Sequence, residues 1–158
     1  MPNFAVGNLW DAPDEYMVVV TGNSTVTKAG TLVMGRGCAK ELRDGCLNID
    51  TVIGYIVSST CGSGGFYGFL DLGPKQLYVK KTQRRRVGIL QVKYNWADAA
   101  DLKLIENSIT MMLCFLKVNP NLGIACAFPG IGNGHLSKEQ VCPLLNRFGN
   151  NITFYEKD

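Results

Sequence analysis

Two glycine-rich stretches hold the residues best suited to chemistry. The first is Thr21-Gly-Asn-Ser-Thr-Val-Thr-Lys-Ala-Gly-Thr-Leu-Val-Met-Gly-Arg-Gly37; the second is Pro129-Gly-Ile-Gly-Asn-Gly-His135. In the first, Gly35 and Gly37 flank Arg36, so the backbone is free to adopt positive φ and to approach a ligand closely. In the second, Gly130, Gly132 and Gly134 alternate with Ile131 and Asn133. Each stretch follows an apolar run and precedes a helix-like segment, whose unpaired N–H groups and positive dipole end suit phosphate. Two such loops suit two linked phosphates better than one, so a pyrophosphate ligand is the inference. The plainer alternative is that the glycines only make tight turns. The polar residues beside them (Asn23, Ser24, Arg36, Asn133 and His135) argue for a ligand.

Better-known phosphate loops do not fit. Gly30-Thr-Leu-Val-Met-Gly35 has the glycine spacing of a Walker A loop, but Arg36-Gly37 replaces its Lys-Ser/Thr ending, and neither stretch reads GxGxxG. An NTPase and an ordinary dehydrogenase are thereby disfavoured. His135 is the only histidine. With an ordinary pKa of about 6.5 it could act as general acid or base near neutrality, for instance in phosphate-monoester cleavage; the alternative is a solvated loop side chain.

Loops of this kind need strands to deliver them and helices to receive them. Phe4 to Trp10 reads as a first strand, and Tyr16-Met-Val-Val-Val20 as a strand buried on both faces. A helix begins at Cys38, with Ala39 and Leu42 inward and Lys40, Glu41 and Arg43 outward. Residues 46–62 fit either strand or helix. Gly65 to Leu72, Gln76 to Lys81 and Val87 to Tyr94 read as three strands, the last two joined by a basic hairpin tip, Lys80 to Arg86. Asp98 is placed to cap a long helix with an apolar stripe of Leu102, Ile105, Ile109, Met112 and Leu116, ended by Pro120. Gly123 to Phe128 is a further buried strand, Ser137 and Gln140 have capping-box spacing, and Asn151 to Tyr155 is the last strand. The alternation predicts an α/β layered domain with a mixed sheet, both loops lying beyond the carboxyl ends of their strands.

The chain of 158 residues suits a single domain, 1–158, and its 46% hydrophobic and 18% charged content argues against disorder. A net charge of +3 favours anionic ligands only slightly. Six scattered cysteines without a CxxC pair, beside one histidine, disfavour a metal site and predict reduced thiols and an intracellular compartment. The start of the chain lacks the pattern of a secretory signal, and no apolar run is long enough to span a membrane. A cytoplasmic protein is the expectation. The basic run Lys80 to Arg86 reads as a solvated turn, or alternatively as a contact for nucleic acid or an acidic partner. Trp96 and Tyr94 could stack on a base, although aromatic residues at a strand end more often pack on the core.

Taken together, the residues resemble a family. Leu32-Val-Met-Gly-Arg-Gly-Cys-Ala-Lys-Glu41 is similar to the V-M-G-K-G-x-A segment of macro domains, particularly the branch of terminal ADP-ribose glycohydrolases. Phe128-Pro-Gly-Ile-Gly-Asn-Gly134 resembles that branch's P-x-I-G-x-G loop, and Gly7-Asn8-Leu9 an early G-D-[IL] segment. The resemblance implies a three-layer α/β/α macro domain with a mixed central sheet and a cleft for ADP-ribose or ADP-ribose 1″-phosphate. It implies ligand contacts from Asn8, from Thr21, Gly22, Asn23 and Ser24, and from Val33, Met34, Gly35, Arg36 and Gly37. Pro129, Gly130, Ile131, Gly132, Asn133 and Gly134 would grip the phosphates from the other side.

Asn8 stands where the family usually has aspartate, keeping the hydrogen-bond acceptor and losing the charge. The segment from Thr25 to Thr31 is an insertion relative to the family. Lys93 falls at the position of the branch's catalytic lysine, whereas His135 or Leu136 takes the place of its aspartate. His135 and Lys93 are therefore the candidate catalytic residues, with no cofactor and no metal expected. Three functions follow: a hydrolase of ADP-ribose 1″-phosphate or of ADP-ribosylated protein or nucleic acid, a non-catalytic ADP-ribose-binding module, and a nucleic-acid-associated domain using residues 80–86.

Overall fold

The computed structural model describes residues 1–157. Its elements are β1 (Asn3–Val6), β2 (Met17–Gly22), α1 (Gly37–Gly45), α2 (Ile49–Thr60), β3 (Phe69–Leu77), β4 (Gln83–Gln91), α3 (Leu102–Val118), β5 (Ile124–Ala127), α4 (Lys138–Leu145) and β6 (Ile152–Glu156). They build one six-stranded sheet of order β1-β6-β5-β2-β4-β3, in which only β3 is antiparallel to its neighbour.

The run Met17-Val-Val-Val20 lies at the centre because it is apolar on both faces. Val18 and Val20 pack with Leu42, Ile49, Ile53 and Val57 of α1 and α2; Met17 and Val19 pack with Ile105, Ile109 and Val141 of α3 and α4. Two helices on each face make the expected three-layer α/β/α architecture.

Several boundaries differ from the sequence expectation, each for a local reason. The first strand stops at Val6, because Asn8 caps a 3-10 turn, Leu9–Asp11, through the N–H of Trp10. Residues 49–60 are helical, with Ile49, Ile53 and Val57 spaced to bury one face. Gly54 of that helix lies directly on the carbonyl of Gly30, where any side chain would collide. This contact seats the segment from Thr25 to Thr31, where Val26 bridges to Leu32 just beyond it as a small antiparallel pair.

The two strands expected at 65–72 and 76–81 are one strand, β3, bulged between Asp71 and Gly73. Gly73 supplies φ +75 there, and Asp71 Oδ1 accepts its N–H at 3.0 Å. Asp101, not Asp98, caps α3, accepting the N–H of Leu104 at 3.0 Å. The N–H of Asp101 is bonded to the carbonyl of Val92, which holds the helix start against the end of β4.

The basic run is largely engaged within the protein. Lys80 and Lys81 pair with Asp11 and Asp14 at 2.8 and 3.1 Å, and Arg86 with Asp71. Arg85 is only 3% exposed and donates to the carbonyls of Ala12, Pro13 and Tyr16. Gln83 to Arg86 therefore belong to β4, and the exposed tip is shorter than expected.

Candidate ligand-binding cleft

The sheet's five parallel strands all end at one edge, and a single cleft of about 1230 Å³ lies beyond it. That exceeds the roughly 300–1,000 Å³ usual for a compact small molecule and suits an extended one. Every parallel strand contributes. Gly7, Asn8, Leu9 and Asp11 follow β1; Thr21, Gly22 and Asn23 end or follow β2; Val92 and Lys93 follow β4. Ala127 and Phe128 come from the end of β5, and Tyr155, Glu156 and Lys157 from β6.

The first glycine loop enters as Val33, Met34, Gly35, Arg36 and Gly37, followed by Cys38, Ala39 and Glu41 of α1. Arg36 is the N-cap residue of α1 and gives it no side-chain cap. The first turn of the helix thus presents uncapped N–H groups where Gly37, Cys38 and Ala39 line the cleft. Gly37 has φ +60, a conformation suited to glycine. Asn23 holds the loop in place: its Nδ2 donates to Val33 O and its Oδ1 accepts from Thr25 N.

The second loop enters as Gly130, Ile131, Gly132, Asn133 and Gly134. Its glycines have separate tasks. A Cβ on Gly130 would meet Ile105 Cδ1 at 2.8 Å and one on Gly134 would meet Ala100 Cβ at 2.9 Å, so both allow close packing on the α3 side. Gly132, at φ +65, has open space where its side chain would be. A 3-10 turn spans Gly132–Gly134, and α4 starts only after Ser137 closes a capping box with Gln140. The start of α4 is not part of the cleft wall, so the second loop offers a turn rather than the helix N-terminus the sequence suggested.

Three expected site residues do not line the cleft. Ser24 is buried, its Oγ donating to Tyr94 O at 2.9 Å; Pro129 is buried at the start of the second loop. His135 is exposed and, with φ 63, ends the 3-10 turn just after the last residue of the second loop that lines the cleft. Lys93 does line the cleft. Its Nζ donates to the carbonyls of Trp96 and Asp98, each at 3.2 Å. Burial and then the nearby charge of Arg36 lower its pKa, with Asp98 opposing. Trp96 also lines the cleft and is 52% exposed.

The sequence reading missed Tyr155, Cys38 and Glu41. Tyr155 alternates with the buried Phe154, a period-two signal that could have placed it at the strand end. Cys38 has a pKa raised mainly by burial, although Thr21 opposes that shift; its Sγ is 3.9 Å from Thr21 Oγ1. No cluster of three or more His, Cys, Asp or Glu side chains able to hold a metal occurs among the described residues. No described helix is long and apolar enough to cross a membrane.

The sheet order, the two helical layers and the cleft at the parallel strand ends define a macrodomain fold, as comparison with solved structures shows. The chain superposes on the macrodomain of Mycobacterium tuberculosis DarG with a TM-score of 0.74 and 20% identity, covering 100% of this chain and 99% of that one. It matches Thermosipho africanus DarTG, solved in complex with ADP-ribose, with a TM-score of 0.73 and 16% identity over 99% of this chain and 42% of that one. The macrodomain of Thermus aquaticus DarG gives 0.66 and 22%, covering 100% of this chain and 99% of that one. No family sequence model matches the chain, and no curated protein does.

Proposed function

We propose that this protein binds ADP-ribose in the cleft beyond the parallel strand ends. The observation that carries the reading is the meeting of two glycine loops across that cleft: a Cβ on Gly37 would lie 3.7 Å from Asn133 Nδ2. Uncapped N–H groups of α1 and the open backbone at Gly132 suit the two phosphates, and the strand ends at Asn8 and Tyr155 leave length for the rest of the nucleotide. The likeness to a structure solved with ADP-ribose supports the same ligand. Calorimetric titration with ADP-ribose, AMP and NAD tests it. Selective binding of ADP-ribose is expected; equal affinity for AMP would remove the pyrophosphate reading.

A second reading, hydrolysis of an ADP-ribosyl linkage, is favoured by Lys93. It combines a cleft position with a lowered pKa, and a less protonated amine is a better nucleophile or base. His135 lies outside the cleft wall, so the phosphatase form of this reading has less geometric support. Release of ADP-ribose from an ADP-ribosylated substrate, abolished by Lys93→Ala with binding retained, is the expected result. Equal turnover in both proteins would overturn the role of Lys93.

A further inference from the structure

We infer that Gln91, which does not line the cleft, is a positioning residue that sets Lys93 and the wall around it. The inference rests on the proposed role of this cleft and adds a residue to it.

Gln91 ends β4 and is fully buried, facing the same side as Ile89. A buried amide is tolerated only when its donors and acceptor are used. Here all are. Its Oε1 accepts the N–H groups of Tyr67 at 2.8 Å and Gly68 at 3.0 Å. That pair fixes which way the amide faces. The two hydrogens of its Nε2 are then shared among Gly65 O at 2.9 Å, Ser24 Oγ at 3.1 Å and Lys93 O at 3.3 Å.

The partners belong to three segments that meet at one end of the cleft. Ser24 follows β2, residues 65–68 precede β3, and Lys93 follows β4. Further bonds close the assembly. Ser24 Oγ and N both reach Tyr94 O, and Tyr67 Oη donates to Asn23 O at 2.8 Å. Asn23 in turn holds Val33 of the first glycine loop. The Gln91 amide is thus the common joint between the turn that carries Lys93 and the loop that carries Arg36.

Glutamine is the residue type this position calls for. Methionine has similar length but would deprive two buried N–H groups and the carbonyls of Gly65 and Lys93 of this partner. Glutamate would keep the two accepted bonds yet oppose an oxygen to the carbonyls of Gly65 and Lys93. The Lys93 side chain is set by the turn that Gln91 anchors, since its Nζ is held by carbonyls within that turn. The charged groups that act on Nζ are Arg36, from the first loop, and Asp98.

The test compares Gln91→Met with Ile109→Ala, a core change in α3 on the opposite face of the sheet. Two readouts apply to the full chain: ADP-ribose affinity by calorimetry and the Lys93 titration midpoint by NMR of the lysine side chains. Gln91→Met should weaken ADP-ribose about tenfold and move the Lys93 midpoint up towards the ordinary lysine value. Ile109→Ala, at comparable loss of thermal stability, should leave both in place. An unmoved Lys93 midpoint in Gln91→Met, or equal effects from the two variants, would overturn the inference.

If Gln91→Met fails to fold, Ser24→Ala carries the test. It removes one bond to the amide and one to Tyr94, and should move the midpoint in the same direction by less; no movement rejects the inference. The titration needs no ligand. A wild-type protein that ignores ADP-ribose would therefore sink the proposed function while leaving the positioning role separately decided.

Discussion

Gly37 and Asn133, nearly a hundred positions apart in the chain, face each other across the cleft so closely that a Cβ on Gly37 would lie 3.7 Å from Asn133 Nδ2. The contact distance is ordinary, so space does not forbid a side chain at Gly37. Its φ of +60 penalises one. Gly37→Ala should destabilise the fold by about 1 kcal/mol through the left-handed backbone, measurable by urea unfolding. It should also weaken ADP-ribose, because relief of that strain moves the first turn of α1.

Gly132 separates strain from obstruction. Its φ is +65 and nothing stands within 4 Å of an added Cβ. Gly132→Ala and Gly132→Glu share the backbone cost, but only the second puts bulk and negative charge into the cleft. Glutamate should abolish ADP-ribose binding, whereas alanine should retain it with affinity lowered by about tenfold or less. Equal affinities in the two variants would place the ligand elsewhere.

Lys93 has a distinct pH signature. Its folded pKa lies below the ordinary 10.5, first because of burial and then because of Arg36. Between the two values the unfolded chain binds more protons than the folded one, so this lysine's contribution to stability rises with pH through that window. At neutral pH its charge opposes folding. Lys93→Met should therefore be as stable as the parent or more stable at neutral pH. That advantage should shrink on titration towards 10.5 in thermal unfolding.

Arg85 and Arg84 make a matched pair for the basic run. Arg85 is buried on three carbonyls of the segment after the first 3-10 turn, whereas Arg84 is exposed. Arg85→Met should cost about 2–4 kcal/mol by leaving those carbonyls unpaired, and Arg84→Gln less than about 0.5 kcal/mol. Nucleic-acid retention over a salt titration, measured on Arg84→Gln, checks the remaining role of the hairpin. A retained signal that falls with this variant would revive it.

Asp71 and Arg86 should give an acid-side dependence. The hydrogen bonds from Arg86 hold the Asp71 carboxyl below its ordinary 3.8. The pair's stabilisation is present above that value and is lost as pH falls through the lowered folded one. In Asp71→Asn the unfolding midpoint should fall less steeply with acidification than in the parent.

Much of this was legible in the chain, for physical reasons that differ by element. The valine run of β2 could only be a strand covered on both faces, and that fixed the layered class. The glycines at 35, 37, 130 and 132 marked two loops that the structure brings to one cleft. The spacing of Ser137 and Gln140 gave the start of α4. Residues 46–62 stayed ambiguous because a short apolar run serves either period until something packs on it. Gly54 against Gly30 decides for helix. The bulge at Gly73 was hidden because one extra residue in a strand leaves no periodic mark beyond a glycine.

By itself, then, the sequence determined the α/β class and the two glycine loops, because these depend on local chemistry and short-range period; Lys93 became a candidate only through the resemblance to a family with a lysine at that position. Tertiary structure decided which of the candidates share the cleft. His135 is left exposed outside the cleft wall at the end of a 3-10 turn, and whether Arg85 is a free charge or a buried clamp turns on which loop lies across β4. Gln91 shows the same dependence: its amide has meaning only where β2, β3 and β4 bring three distant segments within hydrogen-bond reach.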